Sequence, residues 1–107
     1  MKKTIYEGVA KDKYSLSKFK NFIQSITNVI EVSSCSHPWT DDGVNGNTHL
    51  ECYHFSDQGI TLLYTGNYDG SSSDCSITLH GKQDKIEELE RIILGNIEKP
   101  TKSALFA

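Results

Sequence analysis

Two cysteine and histidine pairs are the residues of this sequence whose types best suit metal chemistry. Cys35 and His37 form one pair, and Cys52 and His54 form the other, each with one residue between its members. Alternate residues of a strand share a face, so two such strands side by side would offer the two cysteines and two histidines that tetrahedral zinc accepts. The spacing is not a usual zinc pattern, and buried cysteines with surface histidines explain the same residues.

A second group of side chains has the types needed for general acid-base chemistry. His37, Asp41, Asp42 and His49 bracket a segment that is rich in turn-forming residues. A histidine beside carboxylates can transfer protons near neutral pH. The sequence contains neither a phosphate-binding glycine loop nor the turn that presents a nucleophilic serine in hydrolases. A solvated turn is therefore the favoured interpretation of this group.

The three cysteines, Cys35, Cys52 and Cys75, cannot all pair with one another. An odd number in a short chain indicates reduced thiols rather than a disulfide framework. Cys75 alternates with Ile77 and Leu79, as in a strand with one buried face, which predicts an inert core thiol. We expect the purified protein to carry no cofactor, no stoichiometric zinc and no disulfide that folding needs.

Charge is distributed unevenly along the 107 residues, whose formal net charge is -3. Residues 21–81 contain no lysine or arginine, and we call them the acidic segment. Its carboxylates are Glu31, Asp41, Asp42, Glu51, Asp57, Asp69 and Asp74. One interpretation is that a small sheet uses short polar side chains on its solvent face. The functional interpretation is that lysine and arginine are absent because this surface binds a basic protein. Their absence also disfavours binding to the phosphates of nucleic acids.

The elements that carry these residues follow from hydrophobic spacing. Apolar residues at three- and four-residue steps predict amphipathic helices at residues 16–27 and 82–94, the second capped near Gly95. Strands are predicted at residues 4–10, 29–34, 49–55, 60–65 and 75–80. Residues 35–48 are so rich in turn formers that we predict the longest loop there, with a second connection at residues 66–73.

The element order β-α-β-β-β-β-α, with a tight turn at residues 56–59, predicts an α+β domain. We expect about five strands in a mainly antiparallel sheet, with both helices packed on one face. Residues 1–100 are assigned to a single domain and residues 101–107 to a flexible C-terminal tail. No segment resembles a membrane span or a secretory signal, so a cytoplasmic location is expected.

Trp39 is the only tryptophan, and it falls beside Pro38 and close to Asp41 and Asp42. A large rigid aromatic side chain near carboxylates is a composition that protein interfaces favour. The alternative is that the indole folds back to cover the sheet.

In its size, its acidic segment and the aromatic candidate Trp39, the sequence loosely resembles the small acidic immunity proteins that bacteria pair with contact-dependent or polymorphic toxins. The resemblance implies a non-enzymatic protein that binds and neutralises a basic toxin, often a nuclease. It makes the following residues the expected partner contacts: Trp39, Asp41, Asp42, Glu51, Asp57, Asp69 and Asp74. A small metal-binding or enzymatic domain and an accessory subunit of a larger complex are the alternative interpretations.

Overall fold

The computed structural model describes residues 1–26 and 29–98. The strands are β1 (Lys2–Val9), β2 (Val29–Asp41), β3 (Val44–Phe55), β4 (Ile60–Tyr68) and β5 (Ser73–His80), and the helices are α1 (Leu16–Gln24) and α2 (Gln83–Glu98). The predicted α+β class, the five antiparallel strands and the element order are confirmed. The tail predicted for residues 101–107 lies outside the described residues.

The strands lie in the order β1-β5-β4-β3-β2, and each neighbouring pair is antiparallel. Strands β2 to β5 are therefore consecutive hairpins, and β1 pairs alongside β5. Because β1 and β2 are the two edges of the sheet, α1 carries the chain across the sheet from one edge to the other. No helix in the described ranges is long and apolar enough to span a membrane.

Both helices pack on one face of the sheet, as the apolar stripes predict. A single buried cluster joins side chains of both helices to the inward side chains of the central strands. Its members from the helices are Phe19, Ile23, Ile86, Leu89 and Ile93, and those from the strands are Tyr53, Phe55, Ile60, Leu62, Tyr64, Cys75, Ile77 and Leu79. We call the covered side of the sheet the helix face and the other side the open face.

Cys75 lies in this cluster and is 3% exposed, which confirms the predicted core thiol. Burial raises the pKa of the Cys75 thiol and the charge of Asp74 raises it further, while a hydrogen bond with Tyr64 acts in the opposite direction. Because the thiolate is the reactive form, a raised pKa makes this cysteine a poor nucleophile.

The long loop predicted for residues 35–48 is wrong. Strands β2 and β3 run through that segment as one hairpin, and only Asp42 and Gly43 lie between them. These two residues have φ angles of 49° and 79°. Positive φ at both central residues is what the type I′ hairpin turn requires, so the Asp-Asp-Gly run makes one tight turn.

The other turn-forming residues of that segment are accommodated within the strands. Pro38 lies in β2, and proline is tolerated in an edge strand because one side of its backbone needs no sheet partner. Gly46 lies in β3 opposite Trp39, whose ring is so close that a Cβ on Gly46 would overlap it. Glycine here therefore makes room for an aromatic ring and does not mark a loop.

Helix boundaries also differ from the prediction. Helix α1 ends at Gln24, where the N–H and hydroxyl of Ser25 both donate to the carbonyl oxygen of Phe22. Helix α2 continues through Gly95 to Glu98, so Gly95 does not cap it. Strands β4 and β5 are longer than predicted and leave only residues 69–72 as their connection.

Candidate functional site

The β2–β3 hairpin projects beyond the rest of the sheet. Strand β4 ends at Tyr68, which pairs with Asn47 of β3. Residues 39–41 and 44–46 therefore pair only with each other, and we call residues 39–46 the hairpin tip. At about 3.3 Å per residue, the tip extends roughly 10 Å past the end of β4.

The open face of the hairpin tip combines an aromatic ring, an aliphatic side chain and a carboxylate. Trp39 is opposite Gly46, and Asp41 is opposite Val44, so Trp39, Asp41 and Val44 share this face. Val44 is 45% exposed, and Asp41 and Asp42 are exposed as well. The indole of Trp39 packs across Gly46 and is half-buried, so part of the ring is accessible at the end of the molecule.

Replacing Gly46 by alanine should displace the indole of Trp39 from the strand and shift its fluorescence emission to longer wavelength. The reason is that the added Cβ would occupy the position of the ring. Trp39 is the only tryptophan, so the emission reports this contact alone. Asn45→Ala, on the other face of the same strand, is the matched control and should leave the emission unchanged. Identical emission of Gly46→Ala and the unmodified protein would contradict the described packing.

The remaining predicted contact residues divide between the two ends of the sheet. Asp69 begins the connection between β4 and β5, and Asp74 is exposed near the start of β5. Both lie at the end of the sheet from which the hairpin tip projects. Asp57 lies in the turn between β3 and β4, at the opposite end. The structure thus gathers Trp39, Asp41, Asp42, Asp69 and Asp74 at one end and leaves Asp57 apart.

Asp69 is held in place by its own turn. Its carboxylate accepts hydrogen bonds from the backbone N–H groups and the hydroxyls of Ser71 and Ser72. The two backbone N–H groups and the hydroxyls hold its pKa at about 2. Asp69 therefore remains ionised at any physiological pH and adds a fixed negative charge to this end.

Basic residues limit the acidic surface at the β1 edge. Lys11 and Lys13 follow β1 at the same end of the sheet, and the Nζ of Lys13 lies 5.9 Å from the centre of the Tyr14 ring. The negative surface therefore covers the ends of β2 to β5 and stops before β1.

Glu51 is not a surface contact residue, which corrects the predicted contact set. It lies on the helix face and is 1% exposed. Its Oε1 is 3.1 Å from the Nζ of Lys20, a residue of α1, and 3.1 Å from the Nε2 of His49. Lys20 also lies 3.2 Å from a carboxylate oxygen of Glu31. A lysine from outside the acidic segment thus offsets two of its carboxylates.

The pKa of Glu51 results from opposing effects. Burial raises the pKa of its carboxyl, but the contact with His49, hydrogen bonds from Ser34 and Lys20, and the charge of Lys20 lower it by more. The carboxyl therefore has a pKa below its ordinary value of 4.5 in the folded protein. A carboxylate with a lowered pKa stabilises the fold above its ordinary pKa, and this contribution is lost as the pH falls through the folded pKa.

We expect Glu51→Gln to be less stable than the unmodified protein at pH 7, by about 1 to 2 kcal/mol. The difference should shrink as the pH falls below 4.5, because the native carboxylate then becomes protonated and loses the same interactions. Urea unfolding between pH 3 and pH 7 measures the difference. Glu88→Gln, at an exposed position of α2, controls for the loss of a charge. A difference that is the same at every pH would contradict this account of Glu51.

The two cysteine and histidine pairs share the open face but do not converge. Cross-strand pairing places His37 beside Thr48, six residues along β3 from His54. Six strand residues span about 20 Å, so the two histidines are too far apart to bind one metal ion. Across the two described ranges, no group of three or more His, Cys, Asp or Glu residues is placed to hold a metal. The hypothesis of a zinc site at Cys35, His37, Cys52 and His54 is therefore wrong.

The acid-base group suggested by the sequence is divided between the two faces of the hairpin. His37 and Asp41 lie on the open face, whereas His49 lies on the helix face beside Glu51. Asp42 lies in the turn. These residues do not form a shared site.

Ser36 was not among the candidate residues predicted from the sequence. It is directly opposite His49, and its Oγ lies 2.6 Å from the Nδ1 of the imidazole. Because Ser36 was assigned to a loop, no partner was expected for it. His49 and Glu51 are alternate residues of one strand, so the sequence indicates that they share a face. Only the pairing of β2 with β3 shows that Ser36 lies beside them.

Comparison with known proteins found no matching protein family, no matching characterised protein and no matching solved structure.

Proposed function

We propose that the protein is a binding module that neutralises a basic protein by contact, and that the hairpin tip is the centre of its contact surface. The observation that carries this proposal is the projection of the tip beyond the sheet, with Trp39, Asp41 and Val44 on one face. Within the described sheet, the strands of the tip pair only with each other, so this end is open to a partner. An accessible aromatic ring beside carboxylates is suited to anchoring and to charge recognition.

The charge distribution supports a basic partner. Asp69 and Asp74 lie at the same end as Asp41 and Asp42, and the acidic segment contributes no lysine or arginine there. Such a surface attracts a cationic cleft over a distance and accelerates the encounter. The resemblance to immunity proteins extends the proposal to a toxin, such as a nuclease with a positively charged active site.

Capture from cells of the source organism tests the contact surface if three forms of the protein are compared. The first is the unmodified chain, and the second carries Asp41→Lys and Asp42→Lys. The third carries Glu87→Lys and Glu88→Lys, which makes the same change in net charge at two adjacent exposed positions of α2. We expect the first and third forms to retain the same basic protein and the second to lose it. Equal retention by all three would contradict binding through the tip.

Neutralisation requires a second experiment with the captured protein. Expressed alone in a bacterial host, it should arrest growth, and growth should return when the unmodified chain or the α2 variant is co-expressed. The tip variant should restore growth poorly. A captured protein that is harmless when expressed alone would contradict the inhibitor function and leave only the binding function.

A further inference from the structure

We propose that Ser36, His49 and Glu51 form a relay that activates the Ser36 hydroxyl, so that Ser36 accepts an acyl group from small activated esters. This site lies on the helix face of the hairpin, whereas Trp39, Asp41 and Val44 of the tip lie on the open face. It does not depend on the proposed binding function.

The geometry places the imidazole between a hydroxyl and a carboxylate. The Oγ of Ser36 is 2.6 Å from the Nδ1 of His49, and the Nε2 of His49 is 3.1 Å from the Oε1 of Glu51. The Nε2 contact is within ion-pair distance but off the line of a good hydrogen bond. Catalytic contacts are often poorly aligned before a substrate binds. A nucleophile, a base and a group that orients the base are the three parts that covalent catalysis needs.

Burial increases from the hydroxyl to the carboxylate. Ser36 is exposed, the side chain of His49 is 22% exposed, and Glu51 is 1% exposed. Lys20 of α1 forms an ion pair with the buried carboxylate of Glu51. When Nε2 of His49 carries the proton and faces Glu51, Nδ1 is free to accept the proton of the Ser36 hydroxyl. The arrangement therefore fixes the buried groups and leaves the hydroxyl accessible to a reagent.

A groove next to His49 offers space for the organic part of an ester. It has a volume of about 250 Å³ and lies between the start of α1 and the sheet. Leu16, Tyr64 and Tyr68 contribute apolar surface to its lining, and Asn47 contributes an amide. Ser15, Asn67, Ser73 and Asp74 add further polar groups to the lining. Aryl esters and short acyl esters match this combination of aromatic rings and polar side chains.

The reaction is an acyl transfer. The Oγ of Ser36 attacks the carbonyl carbon of the ester while its proton passes to the Nδ1 of His49. The tetrahedral intermediate then collapses, the bond to the leaving oxygen breaks, and that oxygen takes the proton from His49. The product is an ester of Ser36, which water cleaves by the same sequence of proton transfers.

Ser33 provides a control within the same molecule. It is an exposed serine of β2 like Ser36, but it lies on the open face opposite Cys52. General base catalysis contributes about a hundredfold or more to a rate, so Ser36 should react at least about a hundredfold faster than Ser33.

A fluorophosphonate probe and p-nitrophenyl acetate test the proposal on the full chain, with the labelled residue located by peptide mass spectrometry. Ser36 should be labelled, and Ser36→Ala and His49→Gln should abolish labelling at this position while circular dichroism shows an unchanged fold. Ser33→Ala should react like the unmodified protein. Equal labelling of Ser33 and Ser36, no labelling of Ser36, or full labelling in His49→Gln would overturn the proposal.

Glu51 is a positioning residue, and its test is the split between kcat and KM for p-nitrophenyl acetate. Its Oε1 lies 3.1 Å from the Nε2 of His49 and 3.1 Å from the Nζ of Lys20. Glu51→Gln removes the carboxylate that orients the imidazole, so it should lower kcat about tenfold or more. KM should change little, because the groove that holds the ester keeps its lining. An unchanged kcat in a folded Glu51→Gln variant would overturn the place of Glu51 in the relay.

Discussion

Replacing Leu89 by alanine should lower the free energy of unfolding by about 2 to 5 kcal/mol. Leu89 is 1% exposed and lies in the cluster that joins α2 to the sheet. Its neighbours Ile86 and Ile93 are equally buried, so the helix presents a continuous apolar stripe to the strands. Truncation leaves a cavity that close-packed neighbours fill only in part, which adds to the lost burial of the side chain. Urea denaturation followed by far-UV circular dichroism measures the change.

Glu88→Ala is the matched control for this variant. Glu88 is adjacent to Leu89 in the same helix but is exposed. Its replacement should change the free energy of unfolding by about 0.5 kcal/mol or less, as is usual at surface positions. A loss this small for Leu89→Ala would mean that α2 does not pack on the sheet as described.

The two helices and the turn at residues 56–59 could be predicted from the sequence because their signals are local. The apolar residues of α2 repeat with the period of a helix, and Ile86, Leu89 and Ile93 are buried as that period requires. The alternation around Cys75 likewise identifies the buried face of β5. In both elements, the side chains that become buried are determined by residues a few positions apart in the sequence.

The long hairpin could not be predicted in this way, because it depends on residues that are distant in sequence. Gly46 looks like a loop residue until Trp39 is placed across the strand pair. The edge position of β2, which tolerates Pro38, is also known only once the strand order is known. The turn-forming residues of this segment therefore predict a loop, whereas packing between the two strands makes it a hairpin.

The candidate sites depend on the same non-local information. The charge pattern of the sequence predicts that Glu51 belongs to an acidic surface. In the structure, Glu51 is buried and pairs with Lys20 of α1, which lies 31 positions away in the chain. The hydroxyl of Ser36 meets His49 only because the two residues are opposite each other in the hairpin. By contrast, the exposure of Asp41 and Asp42 could be predicted from the sequence, because carboxylates in or beside a tight turn are exposed in almost any fold.

The second large effect should appear in the rate of association with the basic partner. Asp41→Lys together with Asp42→Lys should slow association about tenfold or more at low salt, because the field of the hairpin tip is reversed. Salt screens exposed charges with a Debye length of about 10 Å at 0.1 M, so the two rates should approach each other as salt rises. The double variant Glu87→Lys and Glu88→Lys should associate nearly as fast as the unmodified protein.

Trp39→Ala separates anchoring from charge attraction in the same experiment. An aromatic anchor acts after the encounter, so this variant should associate at the normal rate and dissociate about thirtyfold faster, which corresponds to about 2 kcal/mol. Its response to salt should match that of the unmodified chain.

The most direct test of binding through the tip is therefore the association rate constant of the captured partner, measured by stopped flow from low to high salt. For the unmodified protein and the α2 double variant, we expect the rate to fall steeply as salt increases. For the Asp41 and Asp42 double variant, we expect a slower rate that changes little with salt. If all three proteins associate at the same rate at every salt concentration, the hairpin tip does not recognise a basic partner.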